Sequence, residues 1–360
     1  MPPVTLDRAR HRHENRRWPT FALITALAAT VVGIGVATEA ATGPDQTPAT
    51  QAPVSADPGA RTMSRASSEV LVRRARAEKN RLPKFRVVKG TSLRRFNAEE
   101  KADLLQAEAA KQPVSFRIGT FNVLGSQHTV PGGPRSRQYP PASVRNGGAV
   151  SLIRDHGVDV LGTQELQADQ LGALQSATGM AAFPGYQFGE RETDNSILYD
   201  DSIFEFVSGD SFTIHFMRAD RPQTILRLRH RATGREMYFL NMHASAGEGQ
   251  YAVTRRAGHY TAIDAVNRLK AEGLPVFLTG DMNDRAEFFC RVAPATGLVA
   301  SIGGSTAGGC SPAGALAVDW VLGTGGVGFE DYREDRSTLG RISDHHFVSS
   351  TANIAPDTTS

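Results

Sequence analysis

The chain has few cysteines and no internal repeat, which argues against a zinc-centred fold and against a repeat protein. Its 360 residues include only two cysteines, Cys290 and Cys310, and no Cys/His spacing resembles that of a zinc site. The sequence contains no internal repeat. The apolar content of 40% is ordinary for a soluble globular core, and the length allows one large domain or two small ones.

Charge is not spread evenly along the chain. Residues 1–114 carry 19 Lys and Arg against 11 Asp and Glu, a balance of +8, whereas residues 115–360 carry 21 against 26, a balance of −5. The net charge of +3 therefore describes neither part. A basic N-terminal third precedes an acidic remainder.

Residues 1–41 have the order that is typical of an export signal. Five arginines precede an almost uncharged stretch from Trp18 to Ala37, and small residues follow it through Ala41. We therefore expect the rest of the chain to lie outside the cytoplasm. An apolar run of about twenty residues can also span a bilayer, and clustered arginines hold its start inside. A cleaved signal peptide and a retained membrane anchor are both open.

Export bears on the two cysteines. In an oxidising compartment an even number of cysteines favours a disulfide. We predict a Cys290–Cys310 bond that closes a Gly-rich loop and contributes ~3 kcal/mol in the chain-entropy estimate. A catalytic thiol is the alternative.

Residues 42–114 have the composition of a linker. Ala, Pro, Thr, Ser and Arg dominate, and few large apolar residues are present to order a packed unit. Ten Lys and Arg between Arg73 and Arg95 could bind nucleic acid, anionic lipid or an acidic wall polymer. A solvated segment without a partner is the other interpretation. A short helix is predicted over 98–111.

Residues 115–352 carry the periodicity of a folded domain, followed by a tail at 353–360. The predicted strands are 116–123, 158–165, 196–199, 203–207, 224–230, 236–243, 275–280, 317–322 and 346–349, and the predicted helices are 142–156 and 253–271. Hairpins and crossovers are mixed, which favours an α/β class with a mixed sheet covered by helices.

Four short polar motifs each follow an apolar run in this domain. They are Thr-Phe-Asn at 120–122, Thr-Gln-Glu at 163–165, Gly-Asp-Met-Asn at 280–283 and Ser-Asp-His at 343–345. Strands that end along one edge of a sheet deliver their last side chains to a common crevice. The layout therefore predicts a metal-assisted hydrolase.

Hydrolysis of a phosphodiester needs a cation on the phosphoryl oxygens, a carboxylate for water and an acid for the leaving oxygen. Glu165 is a hard oxygen ligand suited to Mg²⁺, and Asn122 adds a neutral carbonyl oxygen. Asp281 and Asn283 lie two positions apart, so they face one side of an extended chain. One of them can activate water while the other holds phosphate.

Two histidines complete this set. His243 ends an apolar strand, where its imidazole can donate a proton or brace a phosphoryl oxygen. Asp319 can hydrogen-bond His345 and fix its tautomer, and Asp344 is predicted to assist with metal or water. Each residue also has a structural interpretation, because strand-end carboxylates and amides often cap helices or stabilise turns. The complete combination is much harder to obtain by chance.

The order of these motifs resembles the endonuclease/exonuclease/phosphatase superfamily, which includes deoxyribonuclease I, abasic-site endonucleases and bacterial sphingomyelinases. The resemblance covers about 116–350 and rests on Thr-Phe-Asn, Gln-Glu, Asn-Met-His, Gly-Asp-Met-Asn, Val-Asp-Trp-Val and Ser-Asp-His. It implies a deoxyribonuclease I-like four-layer sandwich of two packed mixed sheets flanked by helices, and a site with Mg²⁺, or Mn²⁺ or Ca²⁺. By position it implies metal ligands Asn122, Glu165 and Asp344, and catalytic residues His243, Asp281, Asn283, Asp319 and His345.

The substrate is the least determined feature. Asn195 is the best match to the middle substrate motif of the family, and Asn241 and Arg256 are the other predicted substrate contacts. An exported, monomeric nuclease that acts on DNA or RNA is the preferred hypothesis. A phosphatase or phospholipid phosphodiesterase is the first alternative, although no membrane-inserting aromatic hairpin is evident. A non-catalytic binding protein is the second.

Overall fold

The apolar runs form two six-stranded β-sheets in the computed structural model, which describes residues 98–185, 194–314 and 317–356. The strands are β1 Val114–Asn122, β2 Val160–Gln164, β3 Ala181–Phe183, β4 Ile197–Tyr199, β5 Phe204–Phe216, β6 Ala219–His230, β7 Glu236–His243, β8 Val276–Asp281, β9 Leu298–Ala300, β10 Gly304–Ser305, β11 Ser311–Pro312, β12 Asp319–Thr324, β13 Val327–Asp335 and β14 Phe347–Ile354. The helices are α1 Ala98–Ala110, α2 Ala142–His156, α3 Ala168–Thr178, α4 Gln250–Lys270 and α5 Ala286–Thr296.

The strand order brings the carboxyl ends of two crossover units to one edge. The first sheet has the order β13-β14-β1-β2-β4-β3 and the second the order β5-β6-β7-β8-β12-β9. β1 and β2 are parallel and are joined through α2, and β7 and β8 are parallel and are joined through α4. A parallel pair needs such a crossover. The last residues of these four strands can therefore converge.

Three apolar cores separate four layers. α2 and α3 pack on the outer face of the first sheet through residues such as Leu152 and Leu171, and α4 and α5 pack on the second sheet. The middle core lies between the sheets, where Phe116 meets Phe277 edge to face at 5.3 Å. Truncating such a buried ring to alanine costs about 3–5 kcal/mol. The predicted four-layer sandwich is confirmed.

A polar network also crosses between the sheets, directly below the site edge. The amide of Asn241 is fully buried: Nδ2 donates to the carbonyls of Thr163 (2.7 Å) and Asn195 (2.9 Å), and Oδ1 accepts from Gln164 Nε2 at 2.7 Å. A Cβ on Gly162 would lie 2.5 Å from Asn241 Oδ1, so only glycine allows this approach. The prediction of Asn241 as a substrate contact is corrected, because its polar atoms are used in holding the two sheets together.

Most predicted elements are confirmed, and the differences have physical causes. The strand predicted at 203–207 is β5, which runs to Phe216 through the turn-like sequence Ser-Gly-Asp-Ser because its long hairpin partner β6 supplies the backbone hydrogen bonds. The charged strand β13 was not predicted, since it lies at a sheet edge and buries few side chains. β14 ends at Ile354, so the predicted tail begins two residues too early.

The predicted Cys290–Cys310 disulfide is present. Residues 1–41 and the basic run of the predicted linker lie outside the described residues, so export and anchoring stay predictions. Within residues 98–356 that the structure describes, no helix has the length and apolarity needed to cross a membrane.

Candidate active site

Strand ends supply most of the polar groups of the site. Asn122 is the last residue of β1, His243 of β7 and Asp281 of β8, while Asp319 is the first residue of β12. His243 and Asp319 both pair in register with Asp281. The topology therefore sets two of the neighbours of Asp281 before any side chain is considered.

Asp281 lies at the centre of the site, in contact with Asn122, His243 and His345; we call these four residues the hub. Asp281 Oδ2 lies 3.2 Å from Asn122 Nδ2, 3.3 Å from His243 Nε2 and 3.4 Å from His345 Nε2. Its Oδ1 accepts from the backbone N–H of Asn283 at 2.9 Å. The carboxylate is 1% exposed, and the pair of imidazoles offsets the cost of burying its charge.

The backbone before Asp281 is specific for glycine. Gly280 has φ +149°, and a Cβ there would lie 2.0 Å from the carbonyl oxygen of Met242 on β7. Any side chain would push β8 away from β7. His243 and Asp281 would then separate.

Asp319 fixes His345. Both carboxylate oxygens of Asp319 lie 3.0 Å from His345 Nδ1, so the other ring nitrogen, Nε2, faces Asp281. His345 also donates its backbone N–H to Ser343 Oγ, whose hydroxyl donates to the Asn122 carbonyl. The predicted Asp319–His345 pair is thus formed, and Ser343 ties its loop to β1.

Glu165 lies at the other side of Asn122, immediately after β2. Its Oε1 accepts from Asn122 Nδ2 at 3.1 Å, and its Oε2 accepts from the Gly125 N–H at 3.1 Å. The side-chain oxygen of Asn122, Oδ1, accepts from the Leu124 N–H instead. Asn122 was predicted as a metal ligand. In this arrangement it is a hydrogen-bond donor that bridges the carboxylates of Glu165 and Asp281.

His128 is a site residue that the sequence did not reveal. It ends a 3₁₀ turn at Ser126–His128, and its Nε2 lies 3.3 Å from Glu165 Oε2. It belongs to the irregular segment after β1, where no periodicity marks a functional position. The sequence feature that indicates it is its position six residues after Asn122, in the loop that follows β1.

Buried Arg145 holds this segment in place. Its guanidinium donates to the carbonyls of Val123, Leu124, Pro140 and Ile342 and to Thr129 Oγ1. The side chain is 2% exposed. Four of these bonds hold the segment between β1 and α2 that carries His128, and the fifth ties it to Ile342.

Backbone strain is concentrated at the same strand ends. Leu124, Glu165 and Asn283 have positive φ angles of 55°, 60° and 48°. Such conformations cost of order 1–3 kcal/mol each in non-glycine residues and cluster at functional sites. Here they turn the chain directly after β1, β2 and β8.

Burial and charge act in opposite directions on the pKa values of the site. Burial would raise the pKa of Glu165, but the hydrogen bond from His128 and the nearby His243 hold it well below its usual range. Burial would likewise raise the pKa of Asp281, and His345 and His243 lower it. Both carboxylates are therefore ionised at neutral pH.

The pKa values of the two imidazoles are raised, whereas those of Glu165 and Asp281 are lowered. Burial lowers the pKa of His345, but Asp319 and Asp281 outweigh burial and raise it well above 6.5. The pKa of His243 is also raised, because Asp281 and Glu165 outweigh desolvation. Burial raises the pKa of Asp319 despite His345, and we place the shared proton on His345.

Other predicted residues lie at the rim. Asp344 forms an ion pair with Arg135 at 3.1 Å, and its charge helps to raise the pKa values of His345 and His128. Asn195 is 4% exposed and donates to Gln223 Oε1 at 3.2 Å, and the same oxygen accepts from the His243 backbone N–H. Asn283 donates its side-chain amide to the Ala244 carbonyl. Asn195 and Asn283 thus border the site and support β7, and their contact with substrate stays a prediction.

Arg256 lies in an open pocket of about 420 Å³ that begins at Asn283. The pocket is lined by Arg255, Arg256, Arg285 and Arg291, together with Glu248, Asp284 and Glu287. The first turns of α4 and α5 both contribute to it, and helix N-termini favour anions. A pocket with four arginines and three carboxylates therefore adjoins the site at Asn283.

Behind this pocket, His259 holds the loop that follows β8. Its Nε2–H donates to the Met282 carbonyl at 3.1 Å, and its Nδ1 accepts from Arg291 at 2.7 Å. Trp320 Nε1 donates to the carbonyl of Asp284. The segment between Asp281 and Asp284 is therefore clamped from two sides.

The donors at Glu165 fit a divalent cation. The ionised carboxylate of Glu165 lies beside the His128 imidazole. Asn122 bridges Glu165 to a second carboxylate, that of Asp281. Single atoms of Asp281, Asp319 and His345 also lie within 4.8 Å of one another. In that cluster each ring nitrogen of His345 already faces a carboxylate, Asp319 at Nδ1 and Asp281 at Nε2.

Comparisons with known proteins agree with this geometry. The model of the Endonuclease/Exonuclease/phosphatase family matches residues 119–345. A search of curated proteins found no match.

Solved structures show the same fold. A protein of this family from Bacteroides thetaiotaomicron is 17% identical with a TM-score of 0.53, covering 68% of this chain and 99% of its own. A mannosyl-6-phosphatase from that species is 15% identical with a TM-score of 0.50, covering 66% and 99%. D. rerio TDP2, solved with a single-strand DNA product, is 17% identical with a TM-score of 0.51, covering 66% and 98%.

Proposed function

The chain belongs to the endonuclease/exonuclease/phosphatase family of hydrolases, and from that premise we propose that it is an exported, divalent-metal-dependent phosphodiesterase acting on nucleic acid. The observation that carries the proposal is the meeting of His243 and His345 at the buried carboxylate of Asp281, beside ionised Glu165. This arrangement supplies a base, an acid and a cation-binding group within one crevice. Those are the requirements of phosphoester hydrolysis.

The residues divide the proton transfers between them. Asp281 accepts a proton from the attacking water as the new P–O bond forms. His243 donates its proton to the leaving oxygen as the old P–O bond breaks. The products of a diester are a phosphomonoester and an alcohol. Transfer of one proton from Asp281 to His243 then returns both side chains to their starting states.

His345 has a different part in this scheme. Asp319 keeps its ring oriented and cationic, so its positive charge stabilises the phosphoryl oxygens. Glu165 would hold the divalent ion, which when bound would supply further neutralisation of the phosphate charge. The raised pKa of His243 keeps the proton donor loaded at neutral pH.

A substrate with several phosphates is supported by the surroundings of the hub. The arginine-lined pocket lies on the α4 and α5 side. On the β5–β6 side, the guanidinium of Arg221 lies 4.4 Å from the centre of the Phe216 ring, and that ring packs on His243 at 4.8 Å. A small monoester would reach one of these groups, whereas a polynucleotide presents phosphates at regular intervals to both sides and bases that can stack on an aromatic ring.

Export is the second part of the proposal. It is supported by the basic, apolar and small-residue order of residues 1–41 and by the Cys290–Cys310 disulfide, since such bonds persist in oxidising compartments. Fractionation of expressing cells would test it. Activity in the medium or on the outer surface supports export, and activity confined to the cytosol contradicts it.

A substrate panel tests the activity. Purified protein is offered plasmid, single-stranded DNA, RNA, sphingomyelin, a phosphoinositide, a sugar phosphate and a generic diester, with Mg²⁺ or Mn²⁺ and with chelator. We expect metal-dependent cleavage of polynucleotide, which falls ~10²–10⁴-fold in His243→Ala and is unchanged in His215→Ala, an exposed histidine outside the site. Release of phosphate or headgroup with intact polynucleotide would instead establish the phosphatase or phospholipid alternative.

A further inference from the structure

We propose that His128 is a direct protein ligand of the divalent ion, beside Glu165, and that it makes the site prefer Mn²⁺ to Mg²⁺. The inference goes beyond the proposed function, since it concerns which ion binds and through which atoms. It assigns a nitrogen ligand to a site that the sequence describes through oxygen donors alone.

The distance between the two side chains suits ligands on one ion. His128 Nε2 and Glu165 Oε2 are 3.3 Å apart. Two adjacent ligands at ~2.1 Å from an octahedral ion lie ~3.0 Å from one another. A shift of a few tenths of an ångström would therefore bring both atoms into coordination.

The surrounding structure aims the imidazole at this carboxylate. The Gly125 N–H binds the same Oε2, and Ser126 donates its N–H to Gln170 and its hydroxyl to Asp169, both on α3. Arg145 secures the rest of the segment from below. A histidine on a free surface loop would pay conformational entropy to reach Glu165, whereas this one is already held there.

His128 also has an open approach for an ion. Its side chain is 34% exposed and that of Glu165 is 21% exposed, in contrast to the 1% of Asp281. An ion from solvent can therefore reach the nitrogen and the oxygen together. Glu165 keeps Asn122 on its other oxygen, so its orientation does not depend on the ion.

Ligand chemistry gives the metal preference. Mg²⁺ is a hard ion that takes oxygen ligands and keeps its waters, whereas Mn²⁺ is softer than Mg²⁺ and accepts an imidazole nitrogen beside carboxylate oxygens, although it is the weakest binder among the first-row divalent metals. Replacing one oxygen by nitrogen therefore favours Mn²⁺ over Mg²⁺ and also over Ca²⁺. The alternative is that His128 only donates a hydrogen bond to Glu165 and never contacts the ion.

Spectroscopy and calorimetry on the full-length, metal-stripped protein separate these two roles. Pulsed electron paramagnetic resonance of bound Mn²⁺ is expected to show ¹⁴N coupling in the wild type. The coupling should disappear in His128→Gln and persist in His215→Gln, whose histidine pairs with Asp220 on the β5–β6 hairpin. No coupling in the wild type, or coupling retained in His128→Gln, would overturn the proposal.

Titration calorimetry measures the metal preference. We expect His128→Gln to lose about 10-fold or more in Mn²⁺ affinity but less than about 3-fold in Mg²⁺ affinity. Loss of affinity alone is not decisive, since removing an outer hydrogen-bond partner also weakens metal binding by ~10–100-fold. An equal loss for both ions would therefore contradict the proposal.

Two control measurements establish that metal binds at Glu165 and that the variants remain folded. Glu165→Gln should weaken both ions, and thermal unfolding without metal should show that both variants remain folded. None of these readouts uses a substrate. If the protein binds Mn²⁺ through His128 but cleaves no phosphoester, the proposed function fails while this inference stands.

Discussion

Two histidines near Asp281, fully buried His259 and partly buried His345, lie in opposite electrostatic surroundings. Nδ1 of His345 faces the carboxylate of Asp319 at 3.0 Å, whereas Nδ1 of His259 accepts from the guanidinium of Arg291 at 2.7 Å. Burial lowers both pKa values, yet that of His345 is raised well above 6.5 and that of His259 falls to about 3. Burial dominates the pKa of His259, where Arg291 adds to it, whereas Asp319 and Asp281 outweigh burial at His345 and keep that ring charged.

The difference matches what each ring does. His345 presents its other nitrogen to Asp281, and in the proposed reaction it has to be cationic to stabilise a phosphoryl oxygen. His259 presents its other nitrogen to the Met282 carbonyl and has to be neutral, since its Nδ1 is an acceptor. One histidine therefore serves the chemistry, and the other supports the loop beside it.

The largest expected effect comes from removing the carboxylate behind His345. In Asp319→Asn the ring loses both its orienting acceptor and the charge that keeps it protonated, so kcat should fall by ~10³–10⁴-fold, as when an amide replaces the aspartate of a catalytic triad. Steady-state hydrolysis measures this. Asp335→Asn, which disturbs the His156–Asp335 pair outside the site, is the matched control, and a loss below tenfold in Asp319→Asn would contradict the assigned role.

Acidification should act through His259. The unfolded pKa is near 6.5 and the folded value about 3, so the unfolded chain binds more protons between these pH values and stability falls as pH decreases. By pH 4.5 this group should remove about 2–3 kcal/mol of the free energy of unfolding. The measurement is urea unfolding against pH.

The matched variant for that experiment is His259→Gln. Its amide cannot be protonated in this range but can still donate to Met282 and accept from Arg291. We expect its stability to fall less steeply with acid than that of the wild type. Parallel curves for the two proteins would show that His259 is not held neutral.

A smaller effect is expected from the partner of His259. Arg291 is 14% exposed and also pairs with Asp284 at 3.4 Å. Arg291→Met should lower the free energy of unfolding by about 1–2 kcal/mol, because Asp284 and His259 both lose a hydrogen-bond partner. It should also raise the pKa of His259, which NMR titration of the ring would detect; an unchanged pKa would contradict the electrostatic explanation.

The smallest effect is on the pH dependence of hydrolysis. His345 and His243 both have raised pKa values, so activity should persist through neutral pH and decline as pH rises through those values. In Asp319→Asn the residual alkaline decline should move down by ~1 pH unit. The same profile in His259→Gln should match the wild type, and a shift there would mean that the two histidines are coupled.

The sequence was sufficient for the groups that end regular strands. Asn122, Glu165, His243 and Asp281 meet as predicted, because apolar runs mark their strands and parallel strand ends share an edge; His345 joins them from the loop just before β14, which is antiparallel to β1. It was insufficient for groups placed by loops or by contacts between sheets. His128 depends on a segment fixed by Arg145, and the burial of Asn241 depends on how closely the two sheets approach at Gly162.

The same limit applies to His259. Its position on α4 shows a buried helix face, but its bond to the loop after β8 arises only when α4 packs on the second sheet. Elements whose burial is small, such as β13, were missed for a related reason. Their place in the fold is set by backbone pairing with a neighbour, and backbone pairing leaves little pattern in side chains.

The most direct test of the account is cleavage of a labelled oligonucleotide by metal-stripped protein, before and after addition of Mn²⁺, in the wild type and in Asp281→Asn. We expect the wild type to cleave only after the ion is added and Asp281→Asn to be slower by ~10³-fold or more. Cleavage that survives chelation, or that is undiminished in Asp281→Asn, would contradict it.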